Sequence, residues 1–193
     1  MTEADFPAAH SMDTSWYAVD ADGCVALFST GKIGHAPVGY ESAYYMEDLF
    51  AARHPQRPDQ FPWVEDDRAA AEIGFFFYDY GEVWDLILAY DRRVVPPDPV
   101  HVDQLPPAIR AGCKRIQMSG IRFADAARVQ PLELFPCDYS GQDERFAFLA
   151  ADGITVRPVP GKERRFADFV RRFRAELPHL AARYHFEGID NGT

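Results

Sequence analysis

Two stretches of this chain repeat one pattern, a β-prone run, an Asp-Gly turn and a second β-prone run, and they restrict the fold more than any other feature. Trp16-Tyr17-Ala18-Val19 and Cys24-Val25-Ala26-Leu27-Phe28 flank Asp20-Ala21-Asp22-Gly23. Arg145-Phe146-Ala147-Phe148-Leu149 and Ile154-Thr155-Val156-Arg157 flank Ala151-Asp152-Gly153. Aromatic and branched side chains fit a pleated, half-buried surface, and glycine supplies the positive φ that a tight turn demands. Each stretch therefore predicts an antiparallel hairpin. The likeness between them is too short to count as an internal repeat.

The remaining elements follow from hydrophobic period. Residues 73–78 and 83–90 are apolar on both alternating faces and are hinged at Asp79-Tyr80-Gly81-Glu82, which predicts strands covered on each side. Residues 41–53, with Tyr45, Leu49, Phe50 and Ala52, predict an amphipathic helix closed by Pro55 and Pro58, followed by a proline-rich connection over 54–63. Over 163–177, Phe166, Phe169, Val170, Phe173 and Leu177 form one helical stripe opposite arginines, so this helix is expected to dock on the sheet. Pro178 either ends it or opens a short continuation to Tyr184. The glycine-punctuated residues 30–39 predict a surface loop. Prolines 96, 97, 99, 106 and 107 predict an irregular crossing with at most a short helix near Ala108. Residues 114–123 are a further strand candidate, and 124–135 fit neither period. Hairpins with helices interposed irregularly predict an α+β fold, mainly an antiparallel sheet with the C-terminal helix and the 41–53 helix packed on it.

With 193 residues, 47% of them hydrophobic, the chain has material for one domain spanning 1–193, with flexible ends at about 1–12 and 187–193. Cys24, Cys113 and Cys137 show no C-x-x-C spacing, which argues against a disulfide framework or a zinc knuckle. The polar, acidic first ten residues lack the features of a secretory signal, and no apolar run approaches the roughly 18 residues that span a bilayer. A cytoplasmic protein without membrane contact is expected. The net charge of −10 repels nucleic-acid phosphate and favours a basic protein partner. It is unevenly spread: residues 161–185 carry a net +4, which leaves −14 for the rest.

No motif for chemistry is complete. Gly31, Lys32 and Gly34 suggest an anion cradle, but Ile33 follows the lysine where a P-loop requires Ser or Thr. His10, Asp13 and His35 have the residue types of a general base with an orienting carboxylate. They support an alternative, a small-ligand-binding or hydrolase-like protein with a pocket near Gly31 to Gly39. Histidines at 10, 35, 54, 101, 179 and 185 never fall at metal-binding spacing, and Asp20-Ala21-Asp22-Gly23 lacks the glutamate that closes a calcium loop. No cofactor, metal or catalytic residue is assigned.

Between residues 40 and 91 acids and aromatics concentrate: Glu47, Asp48, Asp59, Glu65, Asp66, Asp67, Asp79, Glu82 and Asp85 beside Tyr44, Tyr45, Phe61, Trp63, Tyr80 and Trp84. One reading is an interface, with desolvated rings as anchors and carboxylates steering a basic partner through Asp48, Trp63, Glu65, Asp66, Asp67, Glu82 and Trp84. The other is core rings beneath a solvated acidic face. The arginines at 164, 165, 171, 172 and 174 admit an acidic partner, a phosphate or the protein's own acids.

The segment from His10 to Gly31, with its His-Ser-Met-Asp-Thr-Ser-Trp-Tyr-Ala-Val-Asp-Ala-Asp-Gly opening, resembles uncharacterised bacterial proteins and implies a bacterial origin. The acidic α+β profile also resembles immunity proteins of bacterial toxin systems. That resemblance implies a non-enzymatic interaction module, an immunity-type inhibitor of a basic partner.

Overall fold

A computed structural model of the chain describes residues 15–31, 35–41, 46–62, 66–80, 88–138 and 146–189. Strands β1 (Ser15–Asp20) and β2 (Val25–Ser29) form the first expected hairpin, with Trp16 opposite Phe28. Its turn is held by one side chain. The Oδ1 atom of Asp20 accepts the N–H groups of Asp22 (2.9 Å) and Cys24 (2.8 Å), and Oδ2 accepts that of Phe123 (2.8 Å). Gly23 has φ +79°, and a Cβ there would lie 2.1 Å from the His101 ring, so both conformation and space require glycine.

The hairpin sits within a six-stranded sheet of order β6-β1-β2-β4-β5-β7. Here β4 is Phe76–Tyr80, β5 is Tyr90–Val94, β6 is Gln117–Met118 and β7 is Arg128–Val129. Pairs β1/β2, β4/β5 and β5/β7 are antiparallel, whereas β1/β6 and β2/β4 are parallel. The parallel β2/β4 pair needs a crossover, and α1 (Met46–Arg53) and α2 (Asp66–Ile73) supply it. α1 matches the helix expected over 41–53. No hydrophobic period marks α2, because Ile73 reads as the start of an apolar strand. In the structure Ile73 ends the helix: Gly74 takes φ +97°, and Phe75 N–H returns 2.8 Å to the Ala70 carbonyl, the closing bond of a Schellman cap. Of the expected 83–90 strand only Tyr90 joins β5, and residues 81–87 lie outside the described residues.

Side-chain alternation divides the core between two faces. On the first, Trp16, Ala18, Phe28, Phe76, Tyr78 and Tyr90 pack with Phe123. On the second, Tyr17, Val19, Leu27 and Phe77 meet Leu49 and Phe50 of α1, Ala70 and Ile73 of α2, and Ile109 and Cys113 of α3 (Pro107–Cys113). Coverage on both sides matches the expectation from the apolar run. α3 is the short helix expected near Ala108.

The second expected hairpin is β9 (Ala147–Leu149) with β10 (Thr155–Pro158). Its turn uses the same device, Asp152 accepting from Ile154 N (2.8 Å), Thr155 N (2.7 Å) and Thr155 Oγ1 (2.6 Å). Strand β11 (His185–Phe186) runs parallel to β10 and makes a separate three-stranded sheet. Helix α4 (Glu163–Glu176) buries Phe166 and Val170 against Leu149, Val156 and Phe186. It docks on this small sheet instead of the large one. Pro178 opens the short continuation α5 (Pro178–Ala181). A two-stranded ribbon of β3 (Ala36–Pro37) and β8 (Cys137–Asp138) completes an α+β architecture.

The Asp20 carboxylate joins the first turn to the Phe123 segment, and its removal strands three N–H groups. Asp20→Ala is expected to lower unfolding free energy by about 2–4 kcal/mol, with Asp20→Asn intermediate, measured by urea denaturation. Equal midpoints for wild type and Asp20→Ala would show that the turn holds without it.

Candidate functional site

Where the β3–β8 ribbon meets the C-terminal sheet, the surface opens into a groove of about 470 Å³. Buried Phe148 and half-buried Leu132 and Phe135 give it an apolar lining, and Pro136, Pro158 and Pro160 contribute ring carbons without any backbone N–H. Local structure explains the placement. Pro131 starts a 3-10 turn, Pro131–Glu133, capped by the buried Gln130, whose Oε1 accepts from Leu132 N (3.3 Å) and whose Nε2 donates to Leu149 O (2.7 Å). One amide thus ties the turn on one side of the groove to the strand on the other.

Arg157 supplies the charge. Its Nη1 donates to Glu133 Oε1, and its Nε lies 2.6 Å from Glu187 Oε2. Glu133 also accepts from Ala151 N (3.0 Å) through its other oxygen. Two carboxylates against one guanidinium leave a negative excess. Arg157 Nη2 and Glu187 Oε1 keep no partner among the described residues.

Behind this wall lies His35, with no exposed surface. Its ring stands 5.9 Å from Tyr80 and 5.4 Å from Tyr90, and the Tyr90 hydroxyl donates to the His35 carbonyl. Neither ring nitrogen has a hydrogen-bond partner at normal geometry among the described residues. Burial drives its pKa down to about 3, against a smaller upward pull from Gln130. The ring is neutral across the ordinary pH range. Two residues on, Pro37 pairs with Cys137 of the groove.

Two of the three thiols, Cys24 and Cys113, are tuned away from nucleophilicity. Burial, helped by Glu41, pushes Cys113 up to about 12, and burial with Asp20 and Asp22 raises Cys24. His10 and Asp13 lie outside the described residues, so the arrangement of these two with His35 is not described. Among the described residues no three His, Cys, Asp or Glu side chains gather as metal ligands. His101 and Asp103 serve a capping turn instead, where His101 Nδ1 accepts from Asp103 N (3.2 Å).

Of the expected partner-binding residues, Asp48 is exposed on α1 and Asp67 is exposed in the first turn of α2, which Asp66 begins. Trp63, Glu65, Glu82 and Trp84 lie outside the described residues. Tyr80 is buried and Phe61 packs 5.6 Å from Phe50, so these two rings serve the core. Many acids of the region are neutralised locally: Glu41 by Arg115 (3.0 Å), Asp79 by Arg93 (3.7 Å), Asp91 by Arg128 (2.6 Å), and Glu72 by Arg57 and Arg68. Glu47, Asp48, Asp59 and Asp67 are exposed with no ion pair among the described residues. On α4, Arg164, Arg165, Arg171 and Arg172 are exposed, and Arg171 pairs with Asp168 of its own helix at 3.3 Å.

The fold and this groove define an α+β protein with an apolar surface groove. Neither a family model nor a curated protein nor a solved structure matches the chain. Sequence reasoning missed the groove, whose wall comes from separated segments. The one local signal was proline beside an aromatic or apolar residue, at Phe135-Pro136 and Pro158-Val159-Pro160.

The sealed imidazole sets a pH dependence. An unfolded histidine titrates near 6.5, whereas His35 in the fold stays neutral to about 3. Its effect on stability is absent above pH 6.5, grows as pH falls through that window and is complete below about 3. Between pH 7 and pH 5 the wild type should lose about 2 kcal/mol that a His35→Gln variant keeps, measured by urea unfolding at both values. Parallel pH profiles for the two proteins would rule this out.

Proposed function

We propose that the chain is a non-enzymatic interaction module that holds a basic protein partner. One observation carries this reading: Glu47, Asp48, Asp59 and Asp67 stand exposed without an ion pair among the described residues, while neighbouring acids are spent on internal ion pairs. With a net charge of −10, such carboxylates steer a basic surface towards the protein. The described groups with the chemistry of a base or nucleophile lend support, because burial holds His35 neutral and the Cys113 thiol protonated. An immunity-type inhibitor covering a basic toxin is the specific form this reading takes. A bacterial cytoplasmic setting fits it, since three cysteines outside any disulfide suit a reducing compartment.

A second reading, small-ligand binding beside the loop at 31–39, is favoured by the pairing of Pro37 with Cys137, which puts the groove next to that loop.

The interaction reading predicts that a basic protein from the source cell is retained on the immobilised chain at low salt and released as salt rises. Asp48→Lys with Asp67→Lys should cut retention about tenfold while leaving the unfolding midpoint near wild type. Retention indifferent to both salt and charge reversal would remove the acidic face from consideration.

A further inference from the structure

The groove matches one class of occupant better than others. Its lining is apolar, and its volume of about 470 Å³ lies within the range that buries an organic ligand or a few side chains. The apolar surface continues beyond it. Leu134, 43% exposed, precedes Phe135, and Val38, 64% exposed, donates its N–H to Pro136 O (2.9 Å) alongside the groove. An elongated apolar track suits a chain more than a compact molecule.

The polar groups point the same way. Among the described residues Arg157 Nη2 keeps no acceptor and Glu187 Oε1 no donor, and the ion pair between their other atoms holds both in place. A donor and an acceptor side by side match the C=O and N–H of one residue of an extended chain, which point to the same side. Because they are already fixed, little side-chain freedom is lost on binding. The excess of Glu133 and Glu187 over Arg157 then favours a cation and disfavours a carboxylate.

We infer that this groove docks an extended segment of a partner protein, with apolar residues set against Phe135 and Phe148 and a lysine or arginine beside Glu187. The inference rests on the interaction-module reading and gives it an anchoring site separate from the acidic helices. Leucine or a similar side chain fills the apolar lining at alternate positions. One residue of the segment gives its C=O to Arg157 as acceptor and its N–H to Glu187 as donor.

The test uses a labelled, capped hexapeptide of alternating leucine and lysine, its leucine–glutamate counterpart, and free 2-phenylethylamine, read by fluorescence anisotropy and competition. The full chain should bind the lysine peptide at least about tenfold more tightly than the glutamate peptide, and Glu187→Lys should reverse that preference. Phe135→Glu should weaken the lysine peptide about tenfold, and Val38→Glu, at an exposed position where folding is not at stake, should weaken it in the same direction. A preference unmoved by Glu187→Lys, or binding unmoved by Val38→Glu, overturns the groove as the docking site. Should only Asp48→Lys with Asp67→Lys weaken the peptide, the interaction module stands and the groove falls. Failure of every peptide while a basic protein is still retained at low salt removes the groove and leaves the interaction module; failure of both removes both. If 2-phenylethylamine displaces the lysine peptide at equal concentration, the occupant is a small amine and the docking inference is wrong.

Discussion

A row of three aromatic rings across β1, β2 and β4 sets the register on which the rest of the molecule depends. Trp16 stacks on Phe28 at 4.2 Å, and Phe28 on Tyr78 at 4.8 Å, each pair nearly parallel and directly opposite in the strand pairing. A one-residue slip in any of these strands would send a ring to the other face. The row continues to Arg92 on β5. At this end Tyr78 Oη donates to Ala126 O (2.6 Å) and Arg92 Nη1 to Phe123 O (2.6 Å) and Ala124 O (2.7 Å). Residues 123–126 are therefore clamped to the first face. Gln130 and the 3-10 turn that lines the groove follow from that clamp, so groove geometry inherits its precision from the ring stack.

Polar groups inside this frame are nearly all answered by short-range partners. Asp20 and Asp152 each satisfy turn donors that the hairpins would otherwise leave open. The His35 ring nitrogens and Trp16 Nε1 are exceptions among the described residues. A buried, unanswered polar group costs about 1–3 kcal/mol, and the Tyr80 and Tyr90 rings packed on His35 bury enough area to offset a term of that size. The cost at His35 falls next to the β3–β8 ribbon, whose two-residue strands leave few ladder bonds to oppose local opening.

What the sequence revealed was what local chemistry determines. Both hairpins were legible because Asp-Gly turns and alternating apolar residues act over about ten positions, and α4 because its phenylalanines repeat at helical spacing. Strands of two residues, β6, β7 and β8, carry no pattern of their own and exist only through partners far along the chain. α2 was hidden by an apolar run that crosses its C-cap. Tyr80 was open to the sequence after all, since it shares parity with Phe76 and Tyr78 and so shares their inward face. The groove was not, because Phe135, Phe148, Arg157 and Glu187 meet only after two sheets pack.

The acidic helices and the groove occupy opposite sides of the large sheet. α1 and α2 cover the face of Tyr17 and Leu27, whereas Leu132, Phe135 and Phe148 belong to the face of Trp16 and Phe28. Layers in such folds stack about 10 Å apart, so charges on α1 lie at least about two layers from the groove. At physiological salt the Debye length is about 8 Å, and exposed charges beyond it are largely screened. Carboxylates on α1 and α2 therefore act on the approach of a basic partner and add little to the affinity of a segment seated in the groove. The charge felt by that segment is set locally, by Glu133 and Glu187 against Arg157.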